Sequence, residues 1–151
     1  MGGFRVAAER IQRDEIRDMA RSGKPIIGIC LGMQLFFERS EEGAGAGLSF
    51  FRGKVKRFPR SVKVPQMGWN TLKIVRETDL TDGLPPKKNW VYYANSFYPA
   101  TRGQWVVATS EYGLVFPAII ARGSIVGTQF HPEKSGRTGA TILQNILKVL
   151  G

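Results

Sequence analysis

The segment Gly28-Ile29-Cys30-Leu31-Gly32 constrains this chain more than any other part of its sequence. It overlaps a short apolar run, residues 25–30, of the kind that forms a strand buried on both faces, and residues 33–39 have the pattern of a helix. A cysteine flanked by two glycines between a strand and a helix is typical of a nucleophile elbow in which sulfur replaces the serine oxygen. The segment therefore predicts an α/β fold with a reactive thiol at the end of a strand.

Three properties of this elbow can be predicted from its residues. We expect Gly28 and Gly32 to be required, because a β-carbon at either site would clash with the helix or block a substrate. The start of the helix should lower the pKa of the Cys30 thiol, and the backbone N–H of Leu31 should be free to donate to an oxyanion. A buried structural cysteine is the alternative interpretation of a lone thiol.

A thiol nucleophile needs a base, and the one histidine of the chain is His131, within Gln129-Phe130-His131-Pro132-Glu133 at the end of a predicted strand. Residues i and i+2 of an extended chain point the same way, so Glu133 can orient an imidazole that faces Cys30. The pattern predicts a Cys30–His131–Glu133 triad. We expect no metal site from one histidine and one cysteine, and no cofactor, because phosphate and dinucleotide loops are missing from the sequence.

The 151 residues are enough for one domain, residues 1–151, and too few for two ordinary ones. A hydrophobic share of 42% excludes global disorder, and no apolar run approaches the roughly 20 residues that span a bilayer. One cysteine excludes a disulfide framework, so a reduced, cytoplasmic protein is expected.

The rest of the pattern predicts an α/β layered domain with a mainly parallel sheet, helices on both faces and an antiparallel β portion. Helices are predicted over residues 4–21, 33–39 and 138–150. Strands are predicted over residues 26–30, 54–58, 71–75, 91–93, 105–109, 118–121 and 124–130.

The net charge of +10 is concentrated in one stretch, residues 52–76. It contains no acidic residue and eight basic ones: Arg52, Lys54, Lys56, Arg57, Arg60, Lys63, Lys73 and Arg76. Such a patch fits an anionic substrate, an acidic protein surface or a nucleic acid, and a solvated face without a partner is the plain alternative.

Two segments, Lys24-Pro25-Ile26-Ile27-Gly28-Ile29-Cys30-Leu31-Gly32-Met33-Gln34 and Gly127-Thr128-Gln129-Phe130-His131-Pro132-Glu133, resemble the class I (triad) glutamine amidotransferases. Within that family, Glu38-Arg39-Ser40-Glu41-Glu42-Gly43, Val64-Pro65-Gln66-Met67-Gly68-Trp69-Asn70 and His131-Pro132-Glu133-Lys134-Ser135 are similar to the glutaminase subunits of imidazole glycerol phosphate synthases. The resemblance runs through essentially the whole chain. It implies a flavodoxin-like domain over residues 1–151 that hydrolyses glutamine without a cofactor. It also implies that the ammonia passes to a (β/α)₈-barrel cyclase subunit in histidine biosynthesis.

The resemblance also implies roles for individual positions. Four match residues that hold or line the glutamine: Gln34, Glu42, Tyr92 and Ser96, with Glu42 suited to the α-ammonium. Four match residues that face the barrel subunit: Met67, Trp69, Asn70 and Lys134, although core packing is an alternative interpretation of the tryptophan. Gly2 lies in the segment that matches the second oxyanion donor, beside the N–H of Leu31.

Members of the family begin with a strand ending in Asp-Tyr-Gly and a later Pro-Gly-Val-Gly segment, and Met1-Gly2-Gly3-Phe4 matches the end of that second segment. We therefore expect the N-terminal strands to be missing, roughly fifty residues or about two βα units. Met1 stands where the family has Val, which favours a misplaced start. The strand before Cys30 should then have an unpaired edge or an exposed apolar patch.

Two other functions stay open at this point. A glutaminase that serves another ammonia-using synthase would not depend on the barrel subunit. An inactive regulatory domain of amidotransferase type would keep the fold without the chemistry. Neither a nucleic acid nor a membrane is expected as a partner.

Overall fold

The computed structural model describes residues 3–151, and within them the chain forms four α-helices and eight strands. The helices are α1 (Gly3–Arg10), α2 (Arg13–Arg21), α3 (Leu31–Gln34) and α4 (Gly136–Leu150), with 3-10 turns at Asp79–Thr81 and Pro132–Lys134. The strands are β1 (Ile26–Ile29), β2 (Lys54–Arg57), β3 (Gln66–Ile74), β4 (Asn89–Asn95), β5 (Phe97–Ala100), β6 (Val106–Glu111), β7 (Val115–Arg122) and β8 (Ile125–Thr128).

Six strands form one sheet in the order β1-β8-β7-β6-β3-β4, and β2 pairs with β5 in a separate two-stranded sheet. The α/β class and the antiparallel portion are confirmed, but the proportion differs from the predicted mainly parallel sheet. Within residues 3–151, β1 and β8 form the one parallel pair, and the other neighbours are antiparallel. The reason is connectivity: parallel neighbours need a long crossover, whereas β7 reaches β8 through the two residues Gly123 and Ser124.

Helices cover both faces of the large sheet, as predicted. Successive strand residues point to opposite faces, so Ile119 and Val126 pack in one core while Ile120 and Ile125 pack in the other. The first core includes Ile142 and Ile146 of α4. The second is closed by phenylalanines of the 36–51 segment together with Ile11, Ile16 and Ala20 from the N-terminal helical region.

Strand β1 forms an edge of the sheet in the part of the chain that the structure describes. It pairs with β8 on one side, and Ile27 on this strand is 43% exposed. The predicted unpaired edge beside Cys30 is therefore confirmed.

The predicted helix over residues 4–21 is interrupted, because Gln12 adopts φ −82° and ψ 77° between α1 and α2. The predicted helix over residues 33–39 ends at Gln34. The carbonyls of Leu35 and Phe36 accept hydrogen bonds from Leu48 and Phe50 at 2.7 Å, so the loop that follows takes acceptors that a longer helix would use.

Candidate active site

Cys30 occupies a strained turn between β1 and α3. Its backbone has φ 54° and ψ −108°, a region that residues with a side chain rarely adopt, and its N–H donates to the carbonyl of Thr128 on β8 at 2.8 Å. Strain of this kind costs about 1–3 kcal/mol and persists where the surrounding structure enforces it. The turn therefore has the geometry of a nucleophile elbow, with the thiol at the carboxyl end of β1.

The two glycines of the elbow are not equivalent. A β-carbon at Gly28 would lie 2.6 Å from Cζ of Phe36 and 2.7 Å from the backbone carbonyl of Gly32. At Gly32 a β-carbon would meet no described atom within 4 Å. The expected clash is therefore present at Gly28 and absent at Gly32. That a β-carbon at Gly32 would block a substrate stays a prediction.

Burial dominates the electrostatics of the thiol. It raises the pKa of Cys30, and the charge of Glu133 raises it further, while the backbone N–H of Leu31 and the amide of Gln129 lower it. The start of the helix does lower the pKa of the thiol, through the N–H of Leu31, but the expected net preference for the thiolate is wrong. The reason is that desolvation of the buried thiolate outweighs that hydrogen bond.

His131 and Glu133 contact each other directly. Nδ1 of His131 lies 2.7 Å from Oε1 of Glu133, and the N–H of His131 donates to the carbonyl of Tyr92 at 2.9 Å. The carboxylate thus orients the ring and leaves Nε2 available for a second partner. In residues 3–151 no hydrogen bond joins Cys30 and His131, and Sγ of Cys30 instead lies 3.9 Å from the carbonyl of Ala94.

Gln129 is the residue that motif reasoning left without a role. It is fully buried, its Nε2 lies 3.7 Å from Sγ of Cys30, and its Oε1 accepts from Nε2 of Gln34 at 3.2 Å. Gln34 also donates to the carbonyl of Phe97 at 3.1 Å. The signal available in the sequence was a glutamine two residues before the histidine. Its role could not be predicted, because its side-chain partners come from distant parts of the chain.

Glu42 contacts the N-terminus of α1. Its two carboxylate oxygens accept from the N–H groups of Gly3 at 2.5 Å and Phe4 at 3.1 Å. An anion at this helix end is favourable, because the first N–H groups have no partner within the helix. Gly2, expected to supply an oxyanion donor, lies outside the described residues, whereas Leu31 is the first residue of α3.

Tyr92 lies beside the histidine, and Ser96 lies farther along the same segment. The Tyr92 backbone accepts from His131 and its N–H donates to Oγ of Ser135 at 2.9 Å. Ser96 separates β4 from β5, and its carbonyl accepts from the N–H of Phe58 at 3.1 Å.

An exposed aromatic face borders the site. Met67 and Trp69 of β3 and Trp90 of β4 are 64%, 55% and 51% exposed, and Trp69 packs edge-to-face on Tyr92 with ring centroids 5.9 Å apart. We call Met67, Trp69, Trp90 and Tyr92 the aromatic face, because alternation along β3 and the Trp69–Tyr92 and Thr71–Trp90 pairings place them on one side.

Asn70 and Lys134, the other two residues expected near the partner, are not part of the aromatic face. Asn70 has the opposite strand parity to Trp69, and its amide donates to Gln66 at 3.0 Å and to the carbonyl of Glu111 at 2.8 Å. It therefore lies off the aromatic face. Lys134 is exposed and follows Glu133 in the 3-10 turn.

Residues 3–151 contain no group of three or more histidine, cysteine, aspartate or glutamate side chains arranged to bind a metal ion. In the same range, no helix has the length and apolar character that crossing a membrane requires.

Relatives of known identity cover nearly all of this chain. A subunit named imidazole glycerol phosphate synthase subunit HisH from Archaeoglobus fulgidus is 46% identical over 99% of the chain and 76% of its own length. The subunit of the same name from Carboxydothermus hydrogenoformans is 44% identical over 99% of the chain and 77% of its own length.

A solved structure shares the fold. The structure of PurLQS from Thermotoga maritima matches 97% of this chain and 71% of its own with a TM-score of 0.74 at 23% identity. The family model for class-I glutamine amidotransferases matches residues 1–150. The chain therefore belongs to the class I glutamine amidotransferases.

Proposed function

We propose that this chain is the glutaminase subunit of an imidazole glycerol phosphate synthase in histidine biosynthesis. The observation that carries the proposal is the parallel register of β1 and β8, in which Ile29 pairs with Thr128. Parallel strands end at the same edge of a sheet, so Cys30 and the segment leading to His131 emerge side by side. The identity of 46% and 44% to two HisH subunits supports this assignment.

The proposed chemistry is acyl transfer to sulfur. Cys30 gives its proton to Nε2 of His131, and the resulting thiolate attacks the side-chain amide carbon of glutamine. The amide nitrogen takes that proton and leaves as ammonia, and a glutamyl thioester remains on Cys30. Water, deprotonated by His131, then cleaves the thioester to give glutamate and to restore the thiol.

The other proposed site residues serve this reaction. Glu133 holds the imidazole through Nδ1 and stabilises the imidazolium that forms. The N–H of Leu31 and a donor from the segment containing Gly2 stabilise the tetrahedral oxyanion. Four residues are proposed to bind or line the substrate: Gln34, Glu42, Tyr92 and Ser96.

Since Cys30 has a raised pKa, the free site holds its sulfur mainly as the thiol at neutral pH. The contact of Sγ with the carbonyl of Ala94 also suits a thiol, which donates its proton there. Reaction then requires the sulfur proton to turn towards His131. This requirement fits a glutaminase that works when its substrate and partner are bound.

We propose that residues 1–151 form one amidotransferase domain, and that it works in the cytoplasm as a heterodimer with a (β/α)₈-barrel cyclase subunit that receives the ammonia. The aromatic face is the proposed contact surface, because exposed tryptophan and methionine side chains are typical of interface centres. Lys134 is proposed to lie at its border. Asn70 is proposed to support this surface from the opposite side of β3, where its side-chain amide donates a hydrogen bond to Gln66.

The basic stretch over residues 52–76 supports an acidic docking surface on the partner. In the described chain none of its eight basic side chains forms an ion pair, so their charge is available to a partner. Two of them, Lys63 and Lys73, lie on either side of Met67 and Trp69 in the sequence. A linear fall of log affinity for random DNA with log salt would instead indicate nucleic-acid binding.

The proposal is tested by replacing Cys30 with alanine and assaying synthesis with the barrel subunit of the same organism. We expect glutamine-dependent synthesis to fall by about 10⁴-fold or more, because the nucleophile is lost. Synthesis from added ammonia should be unchanged, because that route bypasses the thiol. Loss of both activities would assign Cys30 to the fold or the interface.

The same assay separates the alternatives. If the unchanged chain hydrolyses glutamine at the same rate with and without the barrel subunit, it supplies ammonia to a different synthase. Absence of hydrolysis in the folded complex would indicate a regulatory domain of amidotransferase type.

A further inference from the structure

A buried chain of hydrogen bonds ends on the sulfur of Cys30. Gln129, the residue after β8, is fully buried, and its Nε2 lies 3.7 Å from Sγ. Its Oε1 accepts from Nε2 of Gln34 at 3.2 Å, and the same nitrogen of Gln34 donates to the carbonyl of Phe97 at 3.1 Å. Three segments distant in sequence thus converge behind the nucleophile.

A backbone atom sets the direction of this chain. The carbonyl of Phe97 can only accept, so it selects the NH₂ end of the Gln34 amide. The second N–H of that group then points to Gln129, which must present its oxygen. Gln129 therefore directs its own NH₂ group at Cys30, and the sulfur receives a donor rather than an acceptor.

The donor opposes the other surroundings of the thiol. A hydrogen bond to the charged form favours that form, so the Gln129 amide favours the thiolate. The carbonyl of Ala94, at 3.9 Å, favours the thiol, as do burial and the charges of Glu133 and Glu42. His131 is the proton acceptor of the proposed reaction.

We propose that Gln129 is a positioning residue of this site. It holds a fixed N–H against the Cys30 sulfur. Its hydrogen bond to Gln34 also connects the nucleophile to a residue that is itself proposed to bind the glutamine. The connection to substrate rests on the proposed function, whereas the effect on the sulfur depends on the geometry alone.

The test uses the reactivity of Cys30, which is the one cysteine of the chain, so that a thiol label reports on it alone. The rate of alkylation by iodoacetamide is measured against pH for the full chain, for Gln129→Met and for the isosteric Gln129→Glu. Asn145→Leu is the matched control, since Asn145 is a buried amide whose partners, the carbonyls of Leu80 and Asp82, lie outside this site. Near-ultraviolet circular dichroism confirms that each variant is folded.

We expect the alkylation profile of Gln129→Met to move to higher pH by about one unit, a ten-fold lower rate at a fixed pH below the midpoint. Gln129→Glu should move it at least as far, because a carboxylate replaces the donor. The profile of Asn145→Leu should match that of the unchanged protein. Unchanged profiles in folded Gln129 variants, or an equal shift in the control, would overturn the proposal.

A measurement on the unchanged protein covers the case in which both Gln129 variants fail to fold. The side-chain ¹⁵N resonance of Gln129 should titrate with the midpoint found by alkylation, and a resonance insensitive to that transition would refute the contact. Neither readout requires glutamine turnover. A shift in alkylation without glutaminase activity would therefore leave the positioning role intact and refute the proposed function.

Discussion

Replacing Gly28 with alanine is the change that most directly tests the elbow. The added β-carbon would lie 2.6 Å from Cζ of Phe36 and 2.7 Å from both C and O of Gly32. Carbon atoms prefer separations of about 3.5–4.0 Å, so each contact is too short by about 1 Å. The elbow must open to relieve them.

The cost follows from which atoms obstruct the new methyl group. Overpacking of a core costs about 1–3 kcal/mol, and the upper end applies here because two of the three atoms belong to backbone. Near 3 kcal/mol, the unfolding temperature of a chain of this size falls by roughly 6–12 °C. Displacing α3 also moves Cys30, and a shift of about 1 Å lowers turnover by about 10²-fold.

The control is Gly32→Ala in the same elbow. No described atom lies within 4 Å of its β-carbon, and alanine is the better helix former by about 0.5–1 kcal/mol, so stability should be unchanged or higher. A fall in kcat/KM of this variant without a fall in stability would show that Gly32 is needed for substrate rather than for the fold.

Urea and thermal unfolding followed by tryptophan fluorescence, together with the glutaminase assay, measure these effects. Adding Phe36→Leu to Gly28→Ala should restore only part of the stability, because the Gly32 carbonyl remains in place. The reasoning would be refuted if Gly28→Ala and Gly32→Ala had the same unfolding midpoint, or if the Phe36 change restored stability completely.

Four further substitutions test other parts of the molecule. Burial raises the pKa of Tyr93, so the folded state keeps a proton that the unfolded state loses above about pH 10, and the free energy of unfolding should fall as the pH rises there. In alkaline urea titrations Tyr93→Phe should make that fall smaller, and at neutral pH it should cost about 1 kcal/mol of stability. Trp69→Ala and Trp90→Ala should each weaken binding of the barrel subunit by about 2 kcal/mol, measured by calorimetry, without changing the unfolding midpoint. Unaltered affinity in both variants would reject the aromatic face as the interface. Glu42→Gln should destabilise the chain by about 1 kcal/mol by weakening the N-terminus of α1, and should raise KM for glutamine; a change in KM alone would remove the structural role.

The fold was predictable where the pattern is local. The β1 strand and the turn at Cys30 follow from a short apolar run and a glycine at the point of closest backbone approach. The early end of α3 at Gln34 was not predictable, because the loop residues Leu48 and Phe50 bond to carbonyls that a longer helix would use. The break at Gln12 has no local sequence signal such as a glycine or a proline. The mixed sheet was not predictable either, because it depends on which strands pair although they are distant in sequence.

The candidate site divides along the same line. The predicted contact of His131 and Glu133 is present, but the extended backbone expected to produce it is not, because Glu133 lies in the 3-10 turn Pro132–Lys134 that begins directly after His131. The position of Asn70 off the aromatic face follows from strand parity, which became available only once β3 was found to begin at Gln66 rather than at residue 71. The resemblance that assigned it to the interface carried no information on which way its side chain points.

The sequence by itself determined which groups are proposed to carry the chemistry of this protein: one thiol, one imidazole and one carboxylate, each in a motif of a few neighbouring residues. The tertiary structure alone decided the state of that thiol. Its raised pKa comes from burial, and its donor from Gln129 is oriented by Gln34 and the carbonyl of Phe97. Local geometry depends on nearby residues, whereas desolvation and buried hydrogen bonds depend on which distant segments meet.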